Sequence, residues 1–278
     1  MLSIVLKNKR LINSYYKMKL SCEGFINALP GQFVMIKVSP HYDPLLRRPM
    51  SFHRIIPHHP PFKKGGRGEF EILYQITGKG TEIMSNLKEG NKVDILGPLG
   101  RGFWFPEGIE KAIIIAGGIG IAPMVALAEE IRKRGKGQGS RGKIIVFIGG
   151  KTKDDILCKG DFEKIGANVH IATEDGSMGK KGVCTELLKE WLIAHGSLLM
   201  AQLSIFACGP QGMLKAVADI SINKNISCQV SLDKNMACGT GACLGCVVKV
   251  KNRDSRLYKC VCKDGPVFDA GEILWEEI

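Results

Sequence analysis

Between residues 4 and 96 apolar and polar positions alternate with a period of two, and the alternation is broken by Gly and Pro clusters. That spacing predicts strands at residues 4–6, 11–20, 32–38, 49–56, 69–76 and 92–96, because successive side chains of a strand face opposite sides of a sheet. Several short strands at such intervals predict an antiparallel β-barrel. One short helix is expected at residues 81–87. Residues 57–68 are rich in Pro, His and Gly and read as an exposed hairpin loop. His58 and His59 within it have no thiol or carboxylate beside them and read as solvated side chains.

From Glu110 the period changes. Residues 112–116 form a continuous apolar strand, residues 117–120 a tight Gly-rich turn, and residues 123–134 a helix with Pro123 in its first turn. A loop at 135–142 precedes a second buried strand at 143–149. Then follow a helix at 154–165, a strand at 168–173, a helix at 184–195, a strand at 204–207 and a helix at 211–221. Strands alternating with helices predict a parallel α/β sheet covered on both faces, with ligands at the carboxyl ends of the strands. The expected fold class is therefore multidomain, β plus α/β. The expected units are a barrel over 1–106, a nucleotide-binding α/β domain over 107–224 and a small Cys-rich domain over 225–278.

Composition narrows this picture. A chain of 278 residues exceeds one ordinary core, and 45% apolar with 24% charged residues is the balance of a globular protein. The longest apolar run, 112–128, is too short and too Gly-broken to span a bilayer. The N-terminus lacks the apolar core of a signal peptide, which predicts a cytoplasmic protein. Ten cysteines without an export signal predict free thiols and metal ligands. The formal charge of +12 is dispersed, and the two locally basic stretches, 58–67 and 249–259, interleave no aromatic platform, so nucleic-acid binding is not expected.

The sharpest chemical signal is at residues 231–250, SLDKNMACGTGACLGCVVKV. Cys238, Cys243 and Cys246 form a C-x4-C-x2-C run among Gly239, Gly241 and Gly245, with Cys260 and Cys262 following. This is the plant-type spacing for a [2Fe–2S] centre, whereas structural zinc sites show two short Cys pairs across a longer gap. The glycines suit a loop wrapped around an inorganic cluster with amides aimed at sulfur. A zinc-stabilised interaction module is the alternative of a different class. Cys260 and Cys262 share one face of an extended strand, so spacing leaves the fourth ligand open between them.

Two barrel segments carry candidate chemistry. In RRPMS, Arg48 and Ser51 project from a strand held extended by Pro49, and suit a phosphate or flavin ring. In LYQITGKGT, residues 73–81, a strand runs into a Gly-rich turn that opens a helix, which places Gly80 and Thr81 for a pyrophosphate. On the α/β part, GGIGIAP puts Gly118 and Gly120 in the first turn, with Pro123 where a dinucleotide fingerprint has its third Gly. Cys208, Gly209 and Pro210 follow the fourth strand, where the thiol either faces a nicotinamide ring or is a small buried residue beside a turn. Residues 172–176 end a strand in polar groups suited to ribose. Lys151, Lys153, Lys180 and Lys181 lie near strand ends, and NAD is not distinguished from NADP by them.

The order of these features resembles the ferredoxin-NADP reductase superfamily. More narrowly, MACGTGACLGC followed by VCKDGPVFDAGEI is similar to the electron-transfer subunits of NAD-dependent (type 1B) dihydroorotate dehydrogenase. The resemblance covers nearly the whole chain. It implies FAD on the barrel, NAD on the α/β domain and a C-terminal [2Fe–2S] cluster. It also implies that Arg48, Pro49, Met50 and Ser51 form a first flavin segment, Leu73, Tyr74 and Gln75 a second, and Gly80 and Thr81 the diphosphate turn. Cys238, Cys243, Cys246 and Cys262 are its implied cluster ligands. The implied task is to pass electrons from an FMN-bearing catalytic subunit through the cluster and FAD to NAD+ in pyrimidine synthesis, within a heterotetramer of two copies of each subunit. A ferredoxin-NADP oxidoreductase or sulfide dehydrogenase small subunit of the same build is the nearest alternative.

Overall fold

The computed structural model describes residues 1–23, 28–56, 67–105, 111–135, 143–195, 203–251 and 257–277. Residues 57–66 of the expected hairpin loop, with His58 and His59, and residues 136–142 of the next expected loop lie outside them. Seven N-terminal strands form one sheet: β1 (Leu2–Ile12), β2 (Tyr15–Glu23), β3 (Phe33–Lys37), β4 (Arg48–Ser51), β5 (Arg54–Ile56), β6 (Arg67–Gln75) and β7 (Lys92–Leu99). Their order is β4-β3-β7-β1-β2-β6-β5, with every pairing antiparallel. The two outermost strands, β4 and β5, are joined by only Phe52 and His53. So short a link brings the sheet's opposite edges together and curls it into a barrel, because a two-residue span reaches only about 7–10 Å. Its interior is filled by Val5, Met18, Leu20, Ile36, Ile72 and Ile95, and by Phe52 set edge-on to Phe70 at 5.2 Å.

The expected strand at 11–20 is two strands. Asn13 turns the chain with φ 44°, and Ile12 pairs with Tyr15 across the hairpin. Asn tolerates that left-handed conformation, but apolar residues on both sides conceal the turn in the sequence pattern. Helix α1 (Lys79–Ser85) opens two residues earlier than expected.

The second sheet contains β8 (Lys111–Gly117), β9 (Lys143–Gly150), β10 (Asn168–Thr173), β11 (Lys180–Lys181), β12 (Leu203–Cys208), β13 (Ser227–Ser231) and β16 (Val267–Asp269). The order is β11-β10-β9-β8-β12-β13-β16, parallel except for β16, which runs antiparallel to β13. Helices α2 (Met124–Arg134) and α3 (Lys159–Ile165) pack on one face with Ile114, Val146 and Phe206; α4 (Cys184–Ala194) and α5 (Gln211–Asn223) pack on the other with Ile113, Ile115 and Ile205. Alternate residues of β8 thus meet opposite helix layers, which is why its sequence is continuously apolar. The expected helix at 154–165 is interrupted: a 3-10 turn at Lys153–Asp155 precedes α3, and Cys158 between them has φ 61°.

Strands β13 and β16 were not legible in the sequence pattern. Both lie within residues 225–278 yet join the α/β sheet, and the Cys-rich segment adds only a small sheet of its own, β14 (Val247–Lys249) with β15 (Tyr258–Cys260). The segment is wedged between barrel and sheet. Buried Gln229 of β13 accepts from the Trp104 amide at 3.0 Å and donates to its carbonyl at 2.7 Å, while the Arg101 amide donates to the Gly265 carbonyl. Replacing Gln229 by Leu removes both side-chain bonds and should cost about 1–3 kcal/mol, the penalty for orphaned polar groups. Urea unfolding should show a lower midpoint at unchanged slope; an unchanged midpoint would mean that this bridge does not hold the wedge.

Candidate functional site

The two barrel segments singled out in the sequence meet. Arg48 lies on β4, and its guanidinium packs so closely on the first turn of α1 that a Cβ on Gly80 would sit 2.2 Å from Nε. Its Nη1 donates to the Leu46 carbonyl. Thr81 closes the turn: Oγ1 accepts from the Thr77 and Gly78 amides at 2.9 and 3.3 Å and donates to the Gly78 carbonyl at 2.9 Å. Pro49, Met50 and Ser51 are half-buried along the same strand.

In the second segment Tyr74 faces away from Leu73 and Gln75, as alternation on a strand requires. Leu73 packs toward the α/β part beside Tyr15. Tyr74 points into the barrel core, its ring stacked on Tyr16 at 5.6 Å and its hydroxyl donating to Asn8 at 3.0 Å. Burial raises that hydroxyl well above its ordinary pKa. Asn8 in turn donates to the carbonyls of Met84, Ser85 and Leu87, so Tyr74 supports the end of α1 from inside. Gln75 donates to Ser14 at 3.1 Å.

On the α/β sheet the chain runs β8, β9, β10 in one direction and then returns to β12 on the other side of β8. The order therefore reverses between β8 and β12, and the crevice at such a reversal is where open α/β sheets bind ligands. Both Gly-rich loops flank it. Gly118 has φ 53° and open space where a Cβ would lie. A Cβ on Gly120 would meet the backbone of Cys208 and Gly209 at 2.5 Å, and one on Gly209, at φ 157°, would be 2.9 Å from the Gly117 nitrogen. The loops lock because Ala116 and Cys208 are register partners on adjacent strands. Pro210 immediately precedes α5 and contacts the Gly117 position. Cys208 is half-buried as a residue, but burial of its thiol pushes the pKa up to about 12, leaving it neutral. Glu174 and Asp175 are exposed at the end of β10, and Lys180 pairs with Glu190.

Two residues just past Ser51 went unnoticed in the sequence. His53, fully buried, places Nδ1 2.9 Å from the carbonyl of Ala122, inside the loop after β8. Burial lowers its pKa and keeps the ring neutral. Arg54 donates to Glu129 at 2.7 Å and Asp161 at 3.0 Å on α2 and α3. Tyr15 donates to Asp155 at 2.9 Å. Together they tie the barrel to the α/β sheet. Nothing in a short His-Arg pair after a strand marks it in advance; its partners on the α/β part lie 69 to 107 positions away.

The C-terminal cysteines converge through amide contacts to sulfur. Thr240 and Cys243 amides point at the Cys238 sulfur (3.4 and 3.5 Å), the Gly241 amide at Cys262 (3.1 Å), and the Cys262 amide at Cys246 (3.4 Å). Gly239, at φ 74°, and Gly241, at φ 84°, supply the backbone conformation this wrapping needs. Cys246 and Cys262 are buried, Cys238 is partly exposed and Cys243 lies at the exposed rim. The Cys260 amide donates to the Asp264 carboxylate at 2.8 Å, and its carbonyl accepts from Lys263 and Asp264, a tight turn that projects Cys262 toward Cys246. Sulfur donors with amides directed at them suit an iron–sulfur cluster. The loop rests on the barrel: a Cβ on Gly239 would be 2.6 Å from Met35, and Met35 is the register partner of Pro49.

Comparison with known proteins agrees. Residues 233–274 match the iron-sulfur cluster binding domain of dihydroorotate dehydrogenase B, and residues 114–219 the oxidoreductase NAD-binding domain. The chain is 38% identical to the dihydroorotate dehydrogenase B (NAD(+)) electron transfer subunit of Desulforamulus reducens, over 90% of this chain and 88% of that one. The chain belongs to that family. The Caldanaerobacter subterraneus subsp. tengcongensis relative is also 38% identical, over 98% of this chain and 97% of its own. Among solved structures, that of an NADH-dependent reduced ferredoxin-NADP oxidoreductase superposes with TM-score 0.79 at 27% identity, covering 99% of this chain and 91% of that chain. The resemblance drawn from the sequence motifs thus holds for family, fold and redox class. An electron transfer subunit of dihydroorotate dehydrogenase B works with a catalytic partner.

Cys238 gives a test of the loop. Amides of Thr240 and Cys243 hold its thiol down at about 5 against an ordinary 9.0, so folding favours the thiolate. That contribution is present above about pH 9 and is lost as pH falls through about 5. In the cluster-free chain, alkylation of the Cys238 peptide, followed by mass spectrometry, should fall to half its plateau rate near pH 5. A midpoint near 9 would mean that the amides do not hold the sulfur.

Proposed function

We propose that this chain carries electrons from an FMN-bearing dihydroorotate dehydrogenase catalytic subunit to NAD+, in a cytoplasmic heterotetramer of two copies of each subunit. When bound, a [2Fe–2S] cluster supplies one-electron exchange and FAD couples it to two-electron hydride transfer with NAD+. The observation that carries this reading is the contact of Gly239 with Met35, because Met35 is paired with Pro49. It sets the cysteine loop against β3, the strand paired with the one that bears the first flavin segment.

Each group of residues has a part in that reading. Arg48 and the first turn of α1, with Gly80 and Thr81, hold an anionic diphosphate through a guanidinium and free amides. Pro49, Met50 and Ser51 border the flavin, Leu73 and Gln75 line its far side, and Tyr74 acts from within the barrel by supporting α1. Gly118, Gly120, Cys208, Gly209 and Pro210 shape the crevice for the nicotinamide nucleotide, and the neutral Cys208 thiol leaves that crevice without a fixed negative charge. Cys238, Cys243, Cys246 and Cys262 are the cluster ligands. Cys262 is favoured over Cys260 because its sulfur receives the Gly241 amide and its own amide points at Cys246. By function the chain divides at 1–106, 107–224 and 225–278, with β13 and β16 of the last part completing the nucleotide sheet. The catalytic partner docks on the cysteine rim, where Cys243 and Leu244 are exposed, and along the β14–β15 hairpin that follows, which exposes Val247, Leu257 and Tyr258.

Two variants test the assignment. Cys243→Ser should lose iron and labile sulfide and abolish dihydroorotate-driven NADH formation in the reconstituted complex, while NADH-driven reduction of ferricyanide persists. Full NADH formation in that variant would overturn the route. Gly80→Ala forces the Arg48 guanidinium aside, and should weaken FAD binding about tenfold or more, about 1.4 kcal/mol. Flavin retention equal to the unsubstituted chain, measured by fluorescence after dialysis, would remove Arg48 from the flavin site.

A further inference from the structure

We propose that His53, Cys158 and Asp161 form a zinc-binding site at the seam between the barrel and the α/β sheet. One nitrogen of His53, the sulfur of Cys158 and a carboxylate oxygen of Asp161 all lie within 4.8 Å of one another. These are the donor types that zinc selects. Cys158 precedes α3 and Asp161 lies in its first turn, so the helix presents two ligands together, while His53 arrives from the barrel between β4 and β5.

The histidine is set for a metal. Its Nδ1 lies 2.9 Å from the Ala122 carbonyl oxygen, and a carbonyl only accepts, so the ring proton resides on Nδ1. That leaves a lone pair on Nε2, which is buried and has no hydrogen-bond partner. A ligating histidine whose other nitrogen donates to a backbone carbonyl is the usual outer-shell arrangement of zinc sites. A second acceptor in the same polar cluster, Oε2 of Glu71, is also buried without a hydrogen bond, 3.8 Å from Lys17 Nζ and from Arg54 Nη1. Arg54 Nη2 donates to Asp161 Oδ1 at 3.0 Å, which orients the carboxylate and leaves it further lone pairs.

Charge points the same way. Arg54 and Lys17 face the carboxylates of Glu71, Glu129 and Asp161, so with a neutral thiol the cluster carries one uncompensated negative charge. A dication bound with the Cys158 thiolate, its proton released to solvent, brings the cluster to neutrality. Three protein ligands leave the fourth position to water. Bound there, zinc staples the link between β4 and β5, just past Arg48 to Ser51, onto the start of α3, beside the bond from His53 to Ala122 in the loop after β8.

The test uses the full chain loaded with FAD and cluster, so that the C-terminal cysteines are occupied by iron. After equilibration with zinc chloride and dialysis, elemental analysis should find about one zinc per chain beside the cluster iron. Zinc X-ray absorption should show a single sulfur among nitrogen and oxygen ligands. Cys158→Ala and His53→Gln, at unchanged flavin and iron content, should each lower retained zinc at least about tenfold. Three results would each overturn the site: zinc at background in the unsubstituted chain, zinc ligated by several sulfurs, or zinc retained equally by a folded Cys158→Ala chain.

Discussion

The approach of Gly239 to Met35 is the contact on which the rest of the arrangement depends. Only a residue without a Cβ fits there, since a Cβ would lie 2.6 Å from the Met35 Cγ. Through that contact the cysteine loop lies on β3, and β3 pairs with β4, which carries Arg48 to Ser51. One-electron exchange needs close approach and no shared bond, and the cysteine loop meets the barrel by van der Waals contact. The chain that follows the loop is anchored by β16, which is hydrogen-bonded into the α/β sheet beside β13. The C-terminal segment therefore belongs to neither neighbour alone and fixes both.

The barrel meets the cysteine loop through Met35, the loop after β8 through His53, α2 and α3 through Arg54, and the turn after β9 through Tyr15. The seam with the α/β sheet is polar and partly buried, fully so at His53, where removing one partner is costly because the other remains desolvated. Such a seam specifies a relative orientation more sharply than an apolar contact does, since directional bonds tolerate little sliding. A chain that must hold two redox groups and a nucleotide in fixed relation gains from that directionality.

Much of this was legible in the chain alone. The period-two alternation named most barrel strands, and the continuous apolar runs named β8 and β9 as buried on both faces. Glycines among cysteines announced the cluster loop, because few other sequences satisfy both thiolate spacing and backbone freedom. The two barrel segments and the two Gly-rich loops singled out in the sequence are also brought together in the fold. Errors fell where local signal is absent. Apolar residues flank the turn at Asn13, and the break at Cys158 sits inside a helical pattern. Strands β13 and β16 acquire their partners only from each other and from β12.

The sequence by itself determined most of the strands and helices and the cysteine loop, because these follow from side-chain period, Gly and Pro conformations and thiol chemistry acting within a few positions. Tertiary structure alone decided which of those elements touch. The closure of the barrel at Phe52 and His53, the direction of Tyr74 into the core, the choice of sulfur that receives the Gly241 amide, and the His53 to Ala122 bond all join residues remote in sequence. Such contacts are fixed by packing and by the need to satisfy buried polar groups across the whole fold, and no local pattern records that requirement.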